Sequence, residues 1–166
     1  MIIAMLLSTI IVSALACQFV AMVRFNAALQ NTIDAERDAY IIVNNMTRIL
    51  RFADPNTITF DSSVSAKGNL SAKIKANHLS FVTADTTVYY KISPTLPISK
   101  PFRISWDGVN YTVLSQYMSF WNIDGSKMWD SATQELSIVF TITKTNNYGQ
   151  TAIIPISTKI KVRGDS

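Results

Sequence analysis

From position 1 to position 23 the chain reads MIIAMLLSTIIVSALACQFVAMV and carries no charged side chain. At about 1.5 Å per residue, a helix of that length covers roughly the 30 Å hydrocarbon layer of a bilayer. Ser8, Thr9 and Ser13 fit such a helix because a hydroxyl bonds back to the carbonyl one turn earlier. From Arg24 to Ala53 there is neither Gly nor Pro. Phe25, Ala28, Leu29, Ile33, Tyr40, Val43, Met46, Ile49 and Leu50 recur there at steps of three and four, the mark of one helical face. Arg24, Asn31, Asp34, Arg37, Asp38, Asn45, Arg48 and Arg51 read as the opposite face. Pro55 ends the run, since a proline pushes its predecessor out of the helical region. The pattern predicts one continuous helix over residues 1–53, on the order of 80 Å long, apolar all round and then amphipathic.

After Pro55 the period changes from 3.6 to 2. Leu79 and Phe81, then Val88, Tyr90 and Ile92, alternate across an Ala84-Asp85 connection. Phe102–Trp106, Asp107-Gly108 and Val109–Val113 read as a hairpin, because Asp-Gly supplies the positive φ angles of a two-residue turn. Tyr117–Ile123 is a further strand, closed by Asp124-Gly125. Leu136, Ile138, Phe140 and Ile142 alternate in the next, and a loop at 146–149 returns the chain through Ile154, Ile156, Ile160 and Val162. Pro155 suggests an edge strand or a bulge. Consecutive hairpins make an antiparallel sheet with one apolar face, and the amphipathic half-helix is its natural cover. The expected class is α+β, a long N-terminal helix on an antiparallel head. Its expected parts are an apolar helix at 1–23, the amphipathic half of the same helix at 24–55, and a β-sheet head at 56–166. Ile33, Tyr40, Val43, Met46 and Leu50 are the expected helix–head contacts.

Composition narrows the function classes. With 166 residues, 48% apolar and only 16% charged, the chain is too apolar for a disordered protein. One Cys excludes an internal disulfide, and one Cys with one His leaves too few ligands for structural zinc. The formal charge of +4 lies wholly in residues 56–166. Lys159, Lys161 and Arg163 alternate on one face of the last strand and form a candidate polyanion contact. A strand edge blunted by lysines is the preferred reading, so no nucleic-acid partner is expected. His78 stands alone, no G-x-S-x-G motif occurs, and the Asp-Gly pairs lack the spacing of a calcium loop. No catalytic residue, metal or cofactor is therefore expected. Trp106, Trp121 and Trp129 with several tyrosines offer a stacking platform, though packing on the sheet is preferred. Ala14-Leu15-Ala16 matches a signal-cleavage pattern and Cys17 invites lipidation, but no basic residue precedes the apolar run. A retained helix is favoured.

The order of these elements resembles the type IV pilin and pseudopilin family, closest to the W/J-like minor pilins. Met46–Pro55 is similar to that group's arginine-rich helix end. Residues 77–83 with 87–92 look like its F…VxY hairpin, residues 117–125 like its later aromatic strand ending in Asp-x-x-Gly, and 136–143 with 152–162 like its closing hairpin. The resemblance implies a filament subunit held first in the inner membrane, then in an extracellular or periplasmic filament. Its implied partners are other pilin subunits, identical or different, the inner-membrane assembly machinery, and lipid before assembly. Met1, Met5, Leu7, Ser8 and Thr9 are the implied assembly residues. Met1 is either the mature first residue or an ordinary initiator; with mature numbering Met5 stands where the family carries a glutamate that pairs with a neighbour's terminal amine, and pseudopilins lacking that glutamate sit at a filament tip. Ser8 or Thr9 offers an alternative acceptor. Met22 replaces the family's helix-breaking proline, so a less kinked helix is expected. The alternative from another class is a single-pass anchored β-domain that binds a partner without polymerising.

Overall fold

A computed structural model of the chain describes residues 2–61, 69–92, 101–122 and 128–163. Helix α1 runs from Ile2 to Leu50 without interruption, about 73 Å of helix. It tightens at its end, where Phe52 and Ala53 donate to the carbonyls of Ile49 and Leu50. Asp54 then caps a single 3₁₀ turn, Pro55–Thr57, its carboxylate accepting from Asn56 N–H at 3.0 Å.

Two antiparallel sheets follow, where the sequence predicts one. The first orders β1 (Thr59–Asp61), β2 (Asn69–Ile74), β3 (Thr86–Ile92), β4 (Phe102–Ser105) and β5 (Thr112–Ser115) in chain sequence. The second is built on β8 (Glu135–Thr145). One edge of β8 pairs along its whole length with β9 (Thr151–Lys161). Its other edge is shared by β6 (Met118–Asn122) and β7 (Trp129–Asp130). The break between sheets falls at Ser115, a buried residue whose Oγ donates to Asp38 of α1 at 3.0 Å and accepts from Tyr117 N–H. A strand tied to the helix at its last residue leaves its sheet there, and β6 joins β8 instead.

The core lies between α1 and the inner faces of both sheets. Leu70, Ala72, Ile74, Val88, Tyr90, Ile92, Phe102 and Ile104 alternate inward from the first sheet, and Leu136, Ile138, Phe140 and Ile142 from the second. Tyr90 stacks on Phe102 with centroids 5.8 Å apart, and its hydroxyl donates to Asn45 of α1 at 3.1 Å. Burial alone drives that hydroxyl's pKa upward, so it stays a donor.

Several expectations are corrected. The helix buries Asn31, Ala35, Ala39, Ile42, Met46, Ile49 and Leu50. Ile33 and Tyr40 are 56% and 71% exposed, so neither packs under the head, and Val43 is half-buried at the margin. At 3.6 residues per turn, the row Phe25, Leu29, Ile33, Tyr40 sits about 120° round the helix from the buried row. Alanines at 35 and 39 win the inner face because small side chains let the helix lie close on β8 and β9, where most of its contacts fall. Leu79 and Phe81 lie in a turn, not a strand, and β3 pairs with β2. The hairpin of β4 and β5 is real, but Asp107-Gly108 lies within a six-residue connection, 106–111, rather than forming a two-residue turn. Its Asp107 carboxylate accepts from Val109 N–H, Asn110 N–H and Ser105 Oγ, a side-chain-capped loop. Ile123 and Asp124-Gly125 lie outside the described residues.

Candidate functional site

The first half of α1 is the largest candidate site. Every described residue from Ile2 to Met22 is exposed, and the helix is long and apolar enough to cross a membrane. Met5 and Leu7 project from it, 60% and 56% exposed. Ser8 and Thr9 do not wait for a partner: both hydroxyls donate to the Met5 carbonyl, at 2.8 and 2.6 Å, and keep only lone pairs to offer an amine. Met1 lies outside the described residues. The apolar surface does not stop at Met22. Phe25, Leu29 and Ile33 continue it along one side of the helix, all about half exposed or more.

The second half of α1 docks on the closing hairpin through one lysine and one asparagine. Lys144, near the end of β8, binds Asp34 at 2.8 Å and lies over the Tyr117 ring at 5.0 Å. Its own carbonyl accepts from Asn31 Nδ2 at 2.8 Å, and the same nitrogen reaches the Gln150 carbonyl at 3.2 Å. A buried amide on a helix is costly unless satisfied, and these two bonds are why Asn31 belongs to the buried face at 4% exposure. The Lys144 ammonium, bonded to the Asp34 carboxylate, holds its pKa below the ordinary aspartate value, with Gln30 Nε2 adding a second donor. Sequence reasoning placed Asn31 on the solvent face; its signal was weak, an asparagine one turn before Ala35 and two before Ala39.

The basic stripe is not a row of three free cations. Lys159 binds Glu135 at 3.4 Å. Lys161 and Arg163 are exposed, and Arg163 N–H donates to the Arg51 carbonyl, fastening the chain end to the end of α1. Lys73 is likewise paired, with Asp85 at 3.0 Å. His78 sits half-buried in the turn after β2, its Nδ1 3.4 Å from the Ala76 carbonyl. Cys17 is exposed on the apolar half of α1. Among the described residues no three His, Cys, Asp or Glu side chains come together as a metal site. Trp129 is half-buried against the core, while Trp106 meets Phe81 edge to face at 5.2 Å and lines a cleft.

The architecture defines a class by layout: one long apolar N-terminal helix whose far half carries an antiparallel β head, as in the pilins. No family model matches the chain, and neither a curated protein nor a solved structure matches it.

Proposed function

We propose that the chain is a non-enzymatic structural subunit of a pilin-like filament, of the type IV pilus or type II secretion kind. In this reading residues 2–22 of α1 sit in the inner membrane before assembly and then pack against the helices of neighbouring subunits. Small residues at Ala4, Ser8, Ser13, Ala14 and Ala16 would allow close helix approach. With Met1 as the mature first residue, Met5 takes the place of the family's glutamate, which favours a minor subunit near a filament tip.

The observation that carries the reading is the apolar row beyond the membrane length. A bilayer covers about 20 helical residues. Counted from Ile2, Ile33 lies on the order of 15 Å past that limit, on the side of α1 turned from its own head. Lipid reaches none of Phe25, Leu29 and Ile33 together, whereas a bundle of the same helices covers all three. Burying the exposed part of each is worth on the order of 1 kcal/mol. A simple anchor has no use for that row.

The test is mechanical shear of cells making the full chain, followed by mass spectrometry of its N-terminal peptide. Wild type is expected in the sheared filament fraction with a free or N-methylated Met1. Leu7→Asp and Ile33→Asp are expected to remain in the membrane with the head still folded. Wild type left wholly in the membrane would favour the non-polymerising anchored module. Ile33→Asp entering filaments as wild type does would remove the helix-row argument.

A further inference from the structure

A cleft of about 460 Å³ lies where the outer side of α1 faces the first sheet. That is within the range of small-molecule sites, which bring a few convergent polar groups to an aromatic wall. One wall is a ladder on successive turns of α1: Tyr40, Asn44 with Asn45, and Arg48. The other is Trp106, at the end of β4, and Phe81, in the turn after β2. Both walls lie beyond the apolar first half of α1, so binding in this cleft does not depend on filament assembly.

Three features set the chemistry of an occupant. First, the two aromatic rings brace one another, Trp106 half-buried against the core and Phe81 left half open. Phe81 is 50% exposed, yet Trp106 fixes it edge to face at an 82° interplanar angle, and Arg48 closes over its ring at 6.0 Å. A fixed ring face left in water suits a ligand with a flat C–H surface. Second, the polar groups are unspent. Tyr90 takes Asn45 Oδ1 from inside the core, so Asn45 is anchored with its Nδ2 turned to no partner among the described residues. The Asn44 amide likewise has none, and it both donates and accepts. Third, the charge is one-sided. Arg48 has no carboxylate partner among the described residues, and none of the cleft's lining residues is acidic. The nearest acid in sequence, Asp107, spends its carboxylate on Val109, Asn110 and Ser105.

We infer that this cleft binds a carboxylated saccharide. A sugar ring packs in the corner made by the near-perpendicular Trp106 and Phe81 rings, its C–H face against one and its edge against the other; its hydroxyls meet the amides of Asn44 and Asn45, and its carboxylate takes the Arg48 guanidinium. Arginine matches that last group with two parallel N–H donors, which gives both strength and orientation. A neutral sugar would fill the same space but leave Arg48 unpaired.

The probe is a galacturonic acid trisaccharide, with its methyl ester as the neutral control. Each is titrated calorimetrically into the full-length chain in detergent micelles, where no filament forms. Saturable binding of the acid is expected, at least tenfold tighter than the ester. R48Q is expected to bring the two affinities together, and W106A to abolish both. Near-ultraviolet circular dichroism verifies that each variant's head is folded. Absence of saturable binding by folded wild type overturns the inference, as does R48Q keeping the preference for the acid. A W106A chain that binds sugar unchanged but fails to enter the sheared fraction overturns it too, and makes the cleft a contact for a second copy. Failure of the filament reading alone would leave wild-type calorimetry in micelles untouched.

Discussion

Ile42 and Ile33 are chemically the same residue nine positions apart on one helix, and the fold assigns them opposite roles. Ile42 is fully buried against the head, whereas Ile33 is 56% exposed on another side. Ile42→Ala removes three carbons from the core, about 2.4 kcal/mol of transfer at roughly 0.8 kcal/mol per group. A residual cavity adds to this, because the hydrogen-bonded sheets that cover α1 limit collapse, and about 3–4 kcal/mol is expected in total. For a chain of this size that lowers the melting midpoint by roughly 10 °C. Ile33→Ala loses little burial and gains helix propensity, so its net effect on the head stays within about 0.5 kcal/mol. The assay is thermal or urea unfolding of the full chain in detergent, followed by near-ultraviolet circular dichroism. That signal reports the aromatic packing of the head, while the far-ultraviolet signal is dominated by a helix that detergent keeps folded. Equal destabilisation by the two substitutions would refute the assignment of the buried face. So would an Ile42→Ala chain that melts within a degree of wild type.

Other sites give sharp expectations. Asn31→Ala strips the Lys144 and Gln150 carbonyls of their side-chain donor; a loss of about 1–2 kcal/mol is expected, with faster amide exchange confined to the 146–150 turn. The Asp34–Lys144 pair depresses the Asp34 pKa, so its contribution is complete above the ordinary value of 3.8 and is lost as the pH falls through the lower folded value. Lys144→Met should raise the Asp34 titration, read by carboxyl NMR, toward the ordinary range, with Gln30 still holding part of the depression; an unmoved titration would remove the pair from the docking account. Gly108 and Gly149 both hold positive φ, at 74° and 77°. Gly149→Ala meets open space and should cost only the left-handed backbone term, about 1–2 kcal/mol. Gly108→Ala brings a methyl to 3.3 Å from the Tyr89 ring, so it should cost at least as much and also shift the Tyr89 ring resonances. Identical spectra around Tyr89 would contradict that contact.

What was legible in the sequence followed from strong periodicity, and what was not followed from geometry between elements. Twenty-three residues without a charge followed by thirty without Gly or Pro can scarcely be anything but a long helix. The alternation through Leu136–Ile142 and its return through Ile154–Val162 likewise fixes β8 and β9. Strand β2 escaped because its inward residues are Leu70, Ala72 and Ile74, a stripe diluted by an alanine and placed between lysines. Phe81 suggested a strand because alternation is the same in a turn that tucks Leu79 and Val82 inward while leaving Phe81 out. The buried face of α1 was read correctly at Met46 and Leu50 and misplaced at Ile33 and Tyr40, for a more instructive reason. Hydropathy favours the row with the largest side chains, Phe25, Leu29, Ile33 and Tyr40, but close packing against a sheet favours Asn31, Ala35 and Ala39, which are smaller.

That inversion ties the fold to the function proposed for it. Had the large row been buried under the head, the outer side of α1 would be polar below the membrane, and the chain would have the surface of an ordinary anchor. With alanines inside, the helix lies close on β8 and β9, and its bulky row is left facing outward as a continuation of the membrane segment. The same rotation turns Tyr40, Asn44 and Arg48 toward Trp106 and opens the cleft. A double substitution that reverses the choice makes the argument testable: Ala39→Leu should push α1 off the hairpin and destabilise the head by about 1–3 kcal/mol through overpacking. If Ala39→Leu were instead neutral in near-ultraviolet melting, and Ala39→Leu combined with Ile33→Ala still reached the sheared fraction at the wild-type level, close packing would not be what orients this helix.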